Sequence, residues 1–237
     1  MSGIYPPPSR GWADPERDHL RYLYLPTVVP APTRLTAGIT TVLEKGDVLT
    51  TIPAGAANKF VEYGIMSVVT DNPMELRNTD ASGGAVRFRA FVGAYTGAFP
   101  LANATATTFN GIQIGTFGAA PPFPAAPAVG LAQLRRRMSD DNIEFLTSVG
   151  DGVTPSTVVA YNLGQIVPHG VLLELEHDPT GGTISAFVDG KLLERRPYTA
   201  QITTPDILYG VFMTNGTNAA CTYQTWWGGA EIRFRIP

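Results

Sequence analysis

The strongest constraint on this chain is a period of two. From Thr33 onward apolar residues recur at alternate positions, which is the repeat of extended strands and not of helices. Val86, Phe88 and Ala90 alternate with Arg87, Arg89 and Phe91. Ile232, Phe234 and Ile236 alternate with Arg233 and Arg235. Such strands carry one face for a core and one for water or a partner. About a dozen stretches fit, many bounded by Gly, Pro, Asn or Asp: 34–43, 47–53, 59–70, 85–93, 107–115, 131–138, 142–149, 157–162, 170–177, 183–189, 207–214, 221–227 and 230–236. No helical stretch of useful length follows residue 33. The pattern predicts an all-β chain, an antiparallel β-sandwich of 33–237.

A chain of 237 residues suits one large β domain and buries a core without disulfide staples. Its 25 glycines and 20 prolines exceed the roughly 12% of average proteins, and the surplus signals many turns. Cys221 is the single cysteine, which excludes an intrachain disulfide framework and a cysteine zinc cage; a small buried hydrophobe is its expected role. The net charge of −3 supplies no global field for nucleic acid. Only Lys45, Lys59 and Lys191 are lysines. The other cations are arginines, whose planar fork suits paired carboxylates and stacking on rings. No run approaches the ~18 apolar residues of a membrane helix. The opening Met-Ser-Gly-Ile-Tyr-Pro-Pro-Pro lacks the pattern of a secretory signal, so synthesis in a cytoplasm is expected.

Two segments break the alternation. Residues 1–32 read as an extended, proline-rich arm. Pro6, Pro7 and Pro8 favour polyproline geometry, and Pro26, Pro30 and Pro32 mark the far end. Between them, Asp14 to Leu25 fits a short helix with Asp14 as cap and Pro15 at its first position; Leu20 to Leu25 fits a strand equally well. Trp12, Tyr22 and Tyr24 are its docking anchors, because tryptophan, tyrosine and arginine dominate interface energetics. Residues 117–130, Phe-Gly-Ala-Ala-Pro-Pro-Phe-Pro-Ala-Ala-Pro-Ala-Val-Gly, form a loop in which prolines forbid a central strand. The loop is too apolar for free solvation, so Phe123 is expected against a surface.

The stretch 170–191 reads Gly-Val-Leu-Leu-Glu-Leu-Glu-His-Asp-Pro-Thr-Gly-Gly-Thr-Ile-Ser-Ala-Phe-Val-Asp-Gly-Lys: a strand, a Gly-Gly turn, and a strand closing on Val-Asp-Gly. It resembles the hairpin of concanavalin A-like lectin and glucanase sandwiches, and the segments after Asp206 and Ala230 fit the same plan. The resemblance implies a jelly-roll and covers about the last 70 residues. It is similar also to virion accessory proteins, which join lectin-like sandwiches to extended arms.

Several residues invite a chemical reading. Glu174, Glu176 and Asp178 share one face of a strand. In glucanases of the resembled fold a strand carries alternating carboxylates as nucleophile and general acid. Here Glu stands at the centre and Asp at the end, and Asp178 already enters a turn, so a solvated outer face opposite Val171, Leu173 and Leu175 is the plainer expectation. His19, His169 and His177 have no metal-ligand spacing, and His177 falls on the apolar face. Neither a nucleophile elbow nor a phosphate-binding loop is present. Arg135 and Arg137 face one way and Arg136 the other; they suit an inter-subunit salt-bridge strip or a solvated face, with Asp140 and Asp141 close behind. Tyr223, Trp226 and Trp227 form a candidate sugar-stacking platform, although adjacent tryptophans on a strand point to opposite faces.

The expected function is therefore non-enzymatic. The resemblance to virion accessory proteins, together with the arm, the apolar loop and the lack of an active site, implies a structural protein of a virus particle, a phage capsid decoration or cement subunit or another accessory piece of the head or tail. The implied location is the virion, with other virion proteins and sibling subunits in a homo-oligomer as partners. The expectation includes neither cofactor nor metal, and neither nucleic acid nor membrane as partner. A carbohydrate-binding module and a glycoside hydrolase using Glu174 and Glu176 are the alternatives.

Overall fold

The computed structural model describes residues 19–24, 29, 34–35, 37–44, 47–52, 59–67, 86–94, 108–115, 132–139, 142–149, 152–159, 170–178, 181–197, 208–214 and 221–235. Every regular element among them is a strand. In chain order these are β1 (His19–Tyr24), β2 (Arg34–Leu35), β3 (Thr40–Glu44), β4 (Asp47–Ile52), β5 (Phe60–Ser67), β6 (Val86–Ala94), β7 (Phe109–Gly115), β8 (Ala132–Arg137), β9 (Ile143–Val149), β10 (Gly152–Val159), β11 (Val171–Asp178), β12 (Thr183–Val188), β13 (Lys191–Pro197), β14 (Leu208–Thr214) and β15 (Cys221–Arg235).

They form two antiparallel sheets. One runs β13-β12-β11-β6-β15-β4-β3, with β1 added on β15; the other runs β10-β9-β8-β7-β14-β5-β2. Pairing keeps opposite residues on one side, so register alone sorts side chains into two faces per sheet. From the eight-stranded sheet, Val48, Ile52, Phe88, Ala90, Leu173, Leu175, Ile184 and Ala186 enter the space between the sheets. From the seven-stranded sheet come Tyr63, Ile112, Leu134, Ile143, Phe145 and Val211. Each buried aliphatic or phenyl side chain contributes about 1.5–3 kcal/mol, enough together to hold two sheets face to face.

The core is not wholly apolar. The Arg196 guanidinium lies 4.6 Å from the Phe145 ring centroid and donates from Nη1 to Thr147 Oγ1 at 3.2 Å. Arg136, only 1% exposed, occupies the same side of its sheet as Leu134. The Tyr63 hydroxyl meets Thr50 Oγ1 at 2.9 Å and Thr41 Oγ1 at 2.5 Å, tying the two sheets together. Cation–ring contacts and hydrogen bonds supply the partners that buried polar groups require.

The Val-Asp-Gly signal becomes a two-residue hairpin turn between β12 and β13. Asp189 and Gly190 both have positive φ, 50° and 77°, the geometry that matches the twist of the flanking strands. Asp189 also returns to β11: its N–H donates to the Leu172 carbonyl at 2.9 Å, and its Oδ1 accepts from the Leu172 N–H at 3.0 Å.

Five local expectations change. The helix option for Asp14–Leu25 gives way over its described part to β1, paired from His19 opposite Arg235 to Tyr24 opposite Ala230. The single stretch 34–43 divides, with β2 pairing β5 and β3 pairing β4. The stretches 221–227 and 230–236 join as β15, whose register shifts between Trp226 and Glu231. The strand expected at 157–162 begins at Gly152 as β10, its register shifting between Thr154 and Thr157. Finally, β13 has no sequence counterpart, because Lys-Leu-Leu-Glu-Arg-Arg-Pro does not alternate; an edge strand packs only partly and tolerates such a sequence. The loop at 117–130, Phe123 and Trp12 lie outside the described residues.

Candidate functional site

The seven-stranded sheet has an unusual second face. Leu134 and Ile112 turn toward the other sheet, so their neighbours on β7, β8 and β9 turn away from it. Register places Gln113 opposite Gln133 and Gly111 opposite Arg135, Arg135 opposite Glu144, and Phe212 opposite both Gly111 and Glu62. A face pointing away from a sandwich core is ordinarily solvated and polar. Here Phe109, Phe212, Gln113, Gln133, Arg135, Glu144 and Glu62 are all buried.

Ionic and ring contacts organise one end of this row. Arg135 Nε donates to Glu144 Oε2 at 2.6 Å, and Arg137 Nη2 donates to Glu144 Oε1. Both carboxylate oxygens are thus held by guanidinium groups. The Arg135 guanidinium also lies 4.2 Å from the Phe109 ring centroid, and Phe109 packs with Phe212. Burial lowers the Arg135 pKa to about 10, opposed by the Glu144 charge, so the guanidinium remains charged at neutral pH. At the centre stands Gly111. A Cβ there would come within 2.5 Å of the Leu134 carbonyl oxygen and 2.8 Å of Arg135 Cα; glycine permits this close approach of β7 to β8.

Amides occupy the other end. Gln133 Nε2 donates to Gln113 Oε1 at 2.8 Å. Gln113 Nε2 and Gln133 Oε1 are left buried without a partner, and neither residue has any solvent exposure. Arg137, whose side chain is 20% exposed, is where this set of residues meets solvent.

The outer face of the eight-stranded sheet carries the acidic row. Glu176 lies opposite Arg87 on β6 and Ser185 on β12, and Ser185 lies opposite Arg195 on β13. Glu174 is not solvated: it is 2% exposed and forms an ion pair with Arg87, Oε2 to Nε 3.1 Å. The Arg87 guanidinium sits 4.0 Å from the Phe187 ring centroid, and Arg195 Nε donates to Ser185 Oγ at 3.0 Å. Burial raises the Glu176 pKa against the lowering effect of Arg87 and Arg195. His177 points into the core and is 3% exposed; burial lowers its pKa to about 4. Asp178 accepts from the Gly181 N–H at 2.7 Å, a role in the turn.

The structure brings Arg135 and Arg137 together on one face, but it pairs them with Glu144 across the β8–β9 hairpin, within the chain. Tyr22 and Tyr24 lie in β1, opposite Ile232 and Ala230. In β15, Trp226 pairs with Phe91 and Tyr223 with Thr50 and Ala94. Trp227 lies in the same strand, at its register shift. Sequence reasoning missed Gln113, Gln133 and Glu144, whose common location depends on strand register. No group of three or more potential metal-ligating side chains occurs among the described residues, and no described helix is long and apolar enough to cross a membrane.

No protein-family profile matches the chain, and no curated protein matches it in sequence. Solved structures do match. A prokaryotic β-1,3-1,4-glucanase, or lichenase, derived from a mouse hindgut metagenome superposes with a TM-score of 0.54 at 10% identity, covering 93% of this chain and all of its own. The carbohydrate recognition domain of Emp47p superposes with a TM-score of 0.52 at 11% identity, covering 95% of this chain and all of its own. The expectation of a virus-particle subunit working through protein–protein contacts is corrected here, because the folds that match along the chain are a glucanase and a carbohydrate recognition domain. The chain has the concanavalin A-like β-sandwich fold of lectins and glucanases.

Proposed function

We propose that this chain is a carbohydrate-binding module without hydrolytic activity, and that the outer face of its seven-stranded sheet is the glycan site. The observation that carries this reading is the buried row of Phe109, Gln113, Gln133, Arg135 and Glu144 on a face directed away from the core. Amide, guanidinium, carboxylate and phenyl groups at one place supply the hydrogen bonds and apolar contact that a sugar needs. Buried polar groups are costly unless paired, so their concentration outside the sandwich core points to recognition. The fold shared with a carbohydrate recognition domain supports the same reading.

Binding is favoured over hydrolysis by the state of the acids. Glycoside hydrolysis uses two carboxyl groups flanking the scissile bond, one of them able to give up a proton. Glu144 has both oxygens bound by arginines, and Glu174 is buried against Arg87. The test is a glycan array followed by calorimetry, with mixed-linkage β-1,3-1,4-glucan oligosaccharides as the first probe and a reducing-sugar assay alongside. Saturable binding without release of reducing ends is expected. Failure of every glycan to bind overturns the reading.

A hydrolase is the second reading. Burial raises the Glu176 pKa, as a general acid requires, and Glu174 stands two residues away on the same face. Hydrolysis of mixed-linkage glucan that disappears in Glu176→Gln would establish it in place of the first.

A further inference from the structure

We propose that Gln113 and Gln133 together read one hydroxyl group of the bound glycan and favour a neutral sugar over an acidic one. This rests on the carbohydrate-binding reading and names the chemistry of its site.

The two amides are direct partners in register on β7 and β8. Their mutual hydrogen bond of 2.8 Å uses one donor and one acceptor. It leaves Gln113 Nε2 as a donor and Gln133 Oε1 as an acceptor, both buried and unpartnered. The oxygen and nitrogen of an amide are assigned from its hydrogen bonds, but the conclusion survives a flip of both side chains. The bond then runs the other way and again leaves one donor and one acceptor.

That residue of bonding capacity is selective. A hydroxyl both donates and accepts, so a single oxygen can satisfy both amides. A carboxylate or sulfate oxygen only accepts, and it would face the lone pairs of one amide oxygen. An ammonium only donates, and it would leave the amide nitrogen unmet. The neighbouring cations do not reverse this preference, because Arg135 and Arg137 both bind Glu144. A buried water has the same two-sided chemistry and would compete with the ligand hydroxyl for this pair.

The test combines Gln113→Leu/Gln133→Leu with the wild-type chain. Side-chain amide NMR signals, assigned by the single variants, are followed during titration with a mixed-linkage gluco-oligosaccharide. Affinity and ligand-free melting temperature are measured for both proteins. Shifts of the Gln113 and Gln133 amide signals are expected, with at least about a hundredfold loss of affinity in the double variant. The ligand-free melting temperature should be unchanged or raised, because two unsatisfied polar atoms have been removed. Unmoved amide signals and full affinity in the double variant overturn the inference while leaving the carbohydrate-binding reading intact. A fall of melting temperature at full affinity makes the pair a structural, water-bridged element and also overturns it. If no glycan binds the wild-type chain, both fall together.

Discussion

Arg135 donates from Nε to Glu144 Oε2 at 2.6 Å, and both side chains are buried on the outer face of the seven-stranded sheet. Removing one partner of a buried ion pair leaves a charge with little solvent, which costs about 3–5 kcal/mol, whereas replacing both by apolar groups is often neutral. Glu144→Leu should therefore lower the urea midpoint sharply. Arg135→Met/Glu144→Leu should recover much of the loss. Equal destabilisation by the single and double variants would show that the pair is not the source.

The two glutamates of β11 should separate under the same substitution. Glu174→Gln removes the anionic partner of buried Arg87 and should cost about 1–3 kcal/mol. Glu176→Gln should cost less, because burial already raises that carboxyl pKa and disfavours its ionised form. Calorimetric unfolding at neutral pH measures both. Glycan affinity should survive in each variant, since both residues lie on the opposite sheet from the proposed site.

His177 should give an acid limb to the stability curve. Burial lowers its folded pKa to about 4 from an ordinary 6.5, while Asp178 acts in the opposite direction. The unfolded chain therefore binds the proton first. The contribution is fully present above pH 6.5 and is lost as pH falls through the folded value near 4. A lowering from 6.5 to about 4 corresponds to roughly 3 kcal/mol. Glu176, with a raised pKa, contributes with the reverse sign, favouring the folded state at lower pH. His177→Leu should flatten the limb between pH 6.5 and 4 in denaturant titrations; an unchanged slope would assign it to other groups.

Tyr63→Phe deletes the hydroxyl shared by Thr41 and Thr50 without altering the ring. Loss of buried hydrogen bonding should cost about 1–3 kcal/mol, read as a lower denaturation midpoint with an unchanged slope. Adding Thr50→Val should restore part of it by removing a hydroxyl left behind. A stability equal to the wild type would mean that water replaces the missing group.

The architecture was legible because it is written one residue at a time. Phe88 and Ala90 enter the core and Arg87 and Arg89 do not, as alternation alone requires. The same rule placed Arg135 and Arg137 on one side of β8 and Arg136 on the other. Their partner was less visible. Asp140 and Asp141 are closer in sequence than Glu144, but strand register, not proximity along the chain, decides which acid meets which arginine. Gln113 and Gln133 are separated by the proline-rich 117–130 segment, which hides the register of β7 against β8. Glu174 was expected to face water because its position is on the outer row; it is instead buried and paired with Arg87, whose guanidinium lies against the Phe187 ring of a neighbouring strand. Lys191–Pro197 escaped notice because an edge strand needs no alternation once the Asp189–Gly190 turn has delivered it.

Strand β15 imposes an order on events in time. It binds β4 on one side and β6 on the other, and its pairing brings Cys221 to Ile52 across about 170 residues of chain. Such distant partners meet only after a large loss of chain freedom, a topology associated with folding in milliseconds to seconds rather than microseconds. During synthesis, β4 and β6 leave the ribosome long before the strand that joins them. Their free edges must wait as templates for any passing strand, so the interval before β15 arrives is when this chain depends most on chaperones and is most exposed to misassembly.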